Sequence, residues 1–192
     1  MDQSAIEVQA RAREYLRTRG TEAPAEAIRA SVREACESLT TLLRAAPVER
    51  VTQRPRDGEW SAQEVVDHLV ETYRPGVDEL RCLLARQVPP GPPIPASLTS
   101  KAPLLRPWPW LLRQLDELHA DVLAALDAAP DDLGTDTRAP VVMVFSARRG
   151  DGAGPIEWIE ALDWKAYAMV SWRLHTIDHL KQVRAALAVP RR

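Results

Sequence analysis

The feature that most constrains this chain is apolar periodicity at helical spacing. In "PAEAIRASVREACESLTTLLRAAP", Ile28, Val32, Cys36, Leu39 and Leu43 recur at i, i+4, i+8, i+11 and i+15. Such spacing draws a single stripe along an α-helix and cannot line one face of a strand. The pattern repeats. A first helix is expected from about Ser4 to Thr18, ending near Gly20. A third begins in "GEWSAQEVVDHLVETY", and a fourth, "PWPWLLRQLDELHADVLAALDAAP", gathers Leu112, Leu115, Val122, Leu123 and Leu126. A last helix is expected from about Pro155 to Ala188, with Pro190 beyond it. Strand signals are poor: the single β-branched run, "VVMVF" (Val141 to Phe145), is read as too isolated to make a sheet.

The start of the third helix is well specified. Ser61 and Glu64 form a capping box, in which the hydroxyl accepts from an otherwise unpaired amide while the carboxylate reaches back. Trp60 and Val65 occupy the positions of a hydrophobic staple. Pro75-Gly76 is expected to kink this helix, because proline removes a backbone donor and crowds the preceding turn. The proline-rich "VPPGPPIPASLTSKAP" that follows reads as an extended surface connection. The expected fold class is therefore all-α: a four-helix bundle with long crossover connections, formed by residues 21–192, and an extra N-terminal helix in residues 1–20.

Composition narrows the function. Hydrophobic residues make up 45% and charged residues 27% of 192 residues, the balance of a soluble globular chain. A net charge of −2 gives no electrostatic reason to expect nucleic acid or an anionic membrane as partner. No stretch approaches the roughly 20 apolar residues needed to span a bilayer, and the N-terminus lacks a signal-peptide core. Cys36 and Cys82 make neither a disulfide framework nor a zinc knuckle, so a reducing cytoplasm is the expected location. Three lysines against 22 arginines reflect a GC-rich genome rather than an arginine-based function.

Four histidines remain. In "SWRLHTIDHLKQV", His175 and His179 stand one turn apart. At 100° per residue, Trp164, Ala168, Ser171, Gln182 and Ala186 share their face, so the pair is expected to point into the bundle. The opposite side, with Ile159, Leu162, Val170, Ile177 and Leu180, suggests a dimer contact. Imidazoles at i and i+4 can bind one cation, and His68, on the edge of the third helix's apolar face, can supply a third nitrogen. Three neutral nitrogens suit Zn²⁺, Ni²⁺ or Fe²⁺. The competing reading is a set of polar core residues bonded to neighbours.

His119, at the centre of its helix's apolar face, is read as a core histidine ahead of a fourth ligand. Glu71 and Asp178 stand near the histidines but suit an exposed helix face; Tyr167 and Ser171 could border a cavity. Cys82 lies roughly 21 Å along the helix from His68 and is no ligand; Cys36 is a small core residue. "RRGDGAGP" lacks the lysine and preceding strand of a phosphate loop.

"GEWSAQEVVDHL" followed far downstream by "HTIDHLKQV" resembles the DinB-like superfamily, four-helix bundles that include bacillithiol transferases and mycothiol-dependent isomerases. The matching positions are Trp60, Ser61, His68, His175, His179 and Gln182, and "GPIEWIEAL" (Gly154 to Leu162) is similar to that family's entry into the last helix. The resemblance covers roughly Ala25 to Ala188. It implies a divalent metal held by His68, His175 and His179, a frequently dimeric bundle, and a metal-activated water or low-molecular-weight thiol acting on a small-molecule substrate. It does not fix the reaction, and a non-catalytic metal- or ligand-binding bundle is the alternative. Seventeen residues separate Trp158 from His175, longer than the family pattern, so the last helix is expected to be extended or broken.

Overall fold

Pro24 breaks the backbone ladder behind it and opens helix α2, Ala25–Arg44, whose expected stripe is buried along its length. It is one of six α-helices in a computed structural model that describes residues 3–145 and 156–188. The others are α1 (Gln3–Leu16), α3 (Ala62–Leu84), α4 (Trp108–Ala128), α5 (Trp164–Ala168) and α6 (His175–Ala188). A wider π-type segment, Met169–Leu174, joins α5 to α6 into one rod.

Four rods make the bundle: α2, α3, α4 and α5–α6. Helix α2 packs on α4 and α6, and α3 packs on the same two. Helices α2 and α3, consecutive in sequence, therefore stand at opposite corners. That arrangement demands the long connections the sequence suggested. The core is the common interior, with Ile28, Leu39, Leu69, Leu80, Leu111, Leu115, Trp164 and Trp172 fully enclosed.

The capping box at Ser61 forms as expected, with Glu64 N–H on the Ser61 hydroxyl and the Glu64 carboxylate on the Ser61 N–H. Helix α3 then runs unbroken through Pro75. From Ser61 to Val70 every residue is buried, Gln63, Glu64 and Asp67 included. The reason lies in the connection between α3 and α4: its distal part lies across the polar face of α3, and Gln63 Nε2 donates to the carbonyls of Pro103, Leu104 and Arg106.

Two expectations are corrected together. Val141 to Phe145 belongs to strand β1 (Ala139–Phe145), which pairs antiparallel with β2 (Ile156–Leu162), placing Met143 opposite Trp158 and Phe145 opposite Ile156. The last helix therefore starts at Trp164 and not near Pro155, and Trp158 is a strand residue whose ring stacks on Phe145 at 5.4 Å. In "IEWIEAL" exposure alternates residue by residue, the period of a strand with one covered face. Asp163 sets the new boundary as N-cap, its Oδ1 accepting from the amides of Lys165 and Ala166 at 3.0 and 3.1 Å. Gly154, Pro155, Pro190 and the "RGD" of Arg149 to Asp151 lie outside the described residues.

This change removes the argument for a second apolar helix face. Ile159 and Leu162 are on β2, while Leu162 and Leu180 are buried within the chain. The N-terminal segment docks on the hairpin and α5: Arg13 donates to Glu160 at 2.7 Å, Lys165 to the Ala23 carbonyl at 2.9 Å, and Thr21 to Asp163. Gly20 lies so close to α5 that an added Cβ would stand 2.9 Å from the Ala166 Cα. No helix among the described residues is long and apolar enough to cross a membrane.

Candidate metal centre

Helix α3 delivers His68 two turns beyond its cap, and α6 delivers His175 and His179 from adjacent turns. The Nε2 of His175 lies 3.1 Å from the Nε2 of His68 and 2.9 Å from the Nε2 of His179. Nitrogens bound at about 2.0–2.1 Å to one cation stand about 3.3 Å apart in a tetrahedron and about 2.9 Å apart when adjacent in an octahedron. The spacing fits a single ion. Among the described residues these three form a group of His, Cys, Asp or Glu side chains able to share one, their ligand atoms all within 4.8 Å.

The outward nitrogens decide the electronic state. His68 Nδ1 donates to the Leu98 carbonyl at 2.7 Å, and His179 Nδ1 donates to Gln182 Oε1 at 3.0 Å. At His175 the Ser171 backbone favours the protonated ring, against the stronger effect of burial. A neutral imidazole with its proton on Nδ1 presents a lone pair at Nε2. In His68 and His179 the lone pair at Nε2 is thus turned toward the Nε2 of His175, and a cation at that point would be within reach of all three rings. This donor set fits a divalent metal held by His68, His175 and His179.

Burial enforces the neutral form. His68 and His179 are 1% and 7% exposed, and His175 is partly exposed. Desolvation lowers the His68 pKa, against the Leu98 hydrogen bond and the Asp67 charge. It lowers that of His175 well below the usual range, helped by His179 and His68. His179 is brought down to about 3 by burial and then by His68, against the Gln182 hydrogen bond. Neutral rings are the form a metal requires.

The surroundings are aromatic. The Trp60 ring stacks along His179 at 6.4 Å with planes 13° apart and lies 5.1 Å from the His68 ring. Tyr73 meets His175 edge-on at 5.7 Å and donates to Thr176, which in turn donates to the Trp172 carbonyl. That chain ties α3 to α6 beside the histidines.

The DinB superfamily matches residues 31–183, a span that contains all three histidines and the bundle. The chain belongs to the DinB superfamily. Among solved structures, YfiT from Bacillus subtilis, described as a probable metal-dependent hydrolase with an unusual four-helix bundle topology, aligns at 17% identity with a TM-score of 0.58. The alignment covers 84% of this chain and 85% of that one, and at this identity it speaks for the shared fold. No curated protein matches the sequence.

Within this DinB bundle the other sequence candidates separate cleanly. His119 is a core histidine: buried, hydrogen-bonded through Nδ1 to Thr40 at 3.3 Å, with Tyr73 at 5.9 Å, and outside the three-histidine group. Glu71 pairs with Arg106 and Asp178 with Lys181, so neither orients a ligand histidine. Tyr167 is buried and donates to Glu79 at 2.7 Å. Cys36 is buried and its thiol is pushed up to about 12, which disfavours a thiolate.

Sequence reasoning missed the Leu98 carbonyl, the most direct partner of His68, because a backbone acceptor on a surface connection leaves no residue-type signal. It also set His175 at the centre of the inward face. The π-type segment shifts the register, so that Trp172, Thr176, His179 and Val183 are the buried line.

Proposed function

We propose that this DinB protein is a metal-dependent enzyme acting on a small-molecule electrophile. His68, His175 and His179 hold a divalent cation, Zn²⁺, Ni²⁺ or Fe²⁺, as ligands and not as acids or bases. The observation that carries the reading is the convergence of three histidine nitrogens, with the Nε2 of His175 3.1 Å from that of His68 and 2.9 Å from that of His179, and with His68 and His179 held from behind by oxygen acceptors. Three protein nitrogens leave further coordination positions open. Bound there, the metal would supply Lewis acidity that lowers the pKa of water or of a low-molecular-weight thiol toward neutrality.

The chain's own contribution is orientation and exclusion of water. Leu98 and Gln182 fix the protons of the His68 and His179 rings on Nδ1, burial keeps the rings neutral, and Trp60 walls one flank with an apolar surface on which a flat or hydrocarbon group can rest. Hydrolysis and transfer of a cellular thiol are the two reactions consistent with such a site, carried out in the cytoplasm, by a homodimer where the family habit holds.

Metal analysis of protein purified without a histidine tag tests the proposal. About one equivalent of metal is expected in the wild-type chain and in His119→Ala, and almost none in His175→Ala. Equal metal content in both variants would overturn the assignment. Activated esters offered with and without a thiol co-substrate then separate hydrolysis from conjugation.

A further inference from the structure

Asp67 is a fully buried carboxylate next to a metal-ligating histidine, yet it touches no histidine nitrogen. Its Oδ2 accepts from the Ser100 backbone N–H at 2.9 Å and its Oδ1 from the Ser100 hydroxyl at 2.8 Å. Arg106 Nη1 lies 3.1 Å from Oδ1 and donates to Glu71 at 2.7 Å. Two bonds from one carboxylate to one residue fix both the position and the rotation of the chain at Ser100. Two residues earlier in that chain is Leu98, whose carbonyl receives the proton of His68 Nδ1.

We propose that Asp67 and Ser100 are positioning residues for His68: their clamp holds the Leu98 carbonyl behind the ring, keeps the proton on Nδ1, and so leaves the Nε2 lone pair to the cation. The metal-binding part of this inference rests on the centre proposed above; the tautomer part does not. Carbonyl acceptors behind ligand histidines set ring orientation and basicity, and their loss typically costs 10–100-fold in metal affinity. Leu98 lies in a connection without regular structure, where no helix or strand ladder fixes its carbonyl. The carboxylate supplies the missing constraint. Its burial is tolerable because charge-assisted bonds and Arg106 compensate it.

The test uses the full chain as Asp67→Ala, Ser100→Ala, Ser100→Thr and, as a control for general destabilisation, Leu126→Ala in the distant core. Two quantities are read: the Zn²⁺ dissociation constant by competition with a chromophoric chelator, and the ¹⁵N shifts of the His68 ring in metal-free protein, assigned against His68→Gln. Asp67→Ala is expected to weaken Zn²⁺ binding about 10–100-fold and to convert His68 from the Nδ1–H form to a mixture. Ser100→Ala moves both readouts the same way by less, Ser100→Thr restores them, and Leu126→Ala leaves both unchanged while lowering Tm. An unaltered His68 tautomer in Asp67→Ala, or an equal loss of affinity in Leu126→Ala, would overturn the clamp. Should Asp67→Ala fail to fold, the Ser100→Ala and Ser100→Thr pair decides by the same two readouts. If wild-type protein takes no Zn²⁺, the metal centre fails, and the tautomer comparison alone decides the clamp.

Discussion

His68 and His175, 107 residues apart in sequence, turn their Nε2 atoms toward each other at 3.1 Å from helices that the Tyr73–Thr176 hydrogen bond ties together. His68 donates from Nδ1 to the Leu98 carbonyl, so its Nε2 turns a lone pair toward His175. A cation standing between the rings would be held by nitrogens from both helices at once.

Zn²⁺ is accordingly expected to stabilise the fold. At about 100 times the dissociation constant, binding to the native state alone adds about 2.7 kcal/mol. Thermal unfolding with and without a chelator should show a Tm that rises with Zn²⁺ concentration. In His179→Ala the rise should vanish.

Acid sensitivity should report His119. Burial lowers its pKa from 6.5 to about 4, with Asp116 opposing. The unfolded chain therefore takes up this proton first as pH falls, and stability is lost from about pH 6.5 down to pH 4, by roughly 3 kcal/mol in full. Above pH 6.5 the group contributes no slope. Denaturant titrations at pH 7 and pH 4.5 should give a smaller drop for His119→Gln than for wild type.

Ser61 caps the helix that carries His68, and its hydroxyl is fully buried against Glu64. Ser61→Ala is expected to cost about 1–2 kcal/mol in equilibrium unfolding, while Ser61→Thr costs less. A loss below about 0.3 kcal/mol would show that the Arg54–Glu64 pair holds this end by itself.

Gly20 has no room for a side chain. A Cβ there would approach the Ala166 backbone at 2.9 Å, so Gly20→Ala must push the N-terminal segment away from α5. A destabilisation of about 1–3 kcal/mol is expected, together with faster amide exchange in α1. An unchanged Tm would mean that α1 contributes little to the bundle.

Several elements were legible because their cause is local. The stripe of Ile28, Val32, Cys36, Leu39 and Leu43 is buried as its period requires, and the capping box at Ser61 forms between residues three apart. The pair His175 and His179 was visible because one helical turn brings them together whatever the rest of the chain does. The hairpin was not. Val141 to Phe145 carries a β-branched run, but it is a strand because Ile156–Leu162 lies beside it, and that run does not by itself name its distant partner.

What the sequence determined by itself is helices α1 to α4, the buried stripe of α2, the cap of α3 and the three imidazoles available to a metal. Tertiary structure decided the rest: that α2 and α3 take opposite corners, that the connection after α3 folds back over Gln63 and Asp67, and that Leu98 turns its carbonyl to His68. The division is physical. Periodicity and capping act through neighbours along the chain, whereas a buried carboxylate and a backbone carbonyl acquire their roles only from what packs against them.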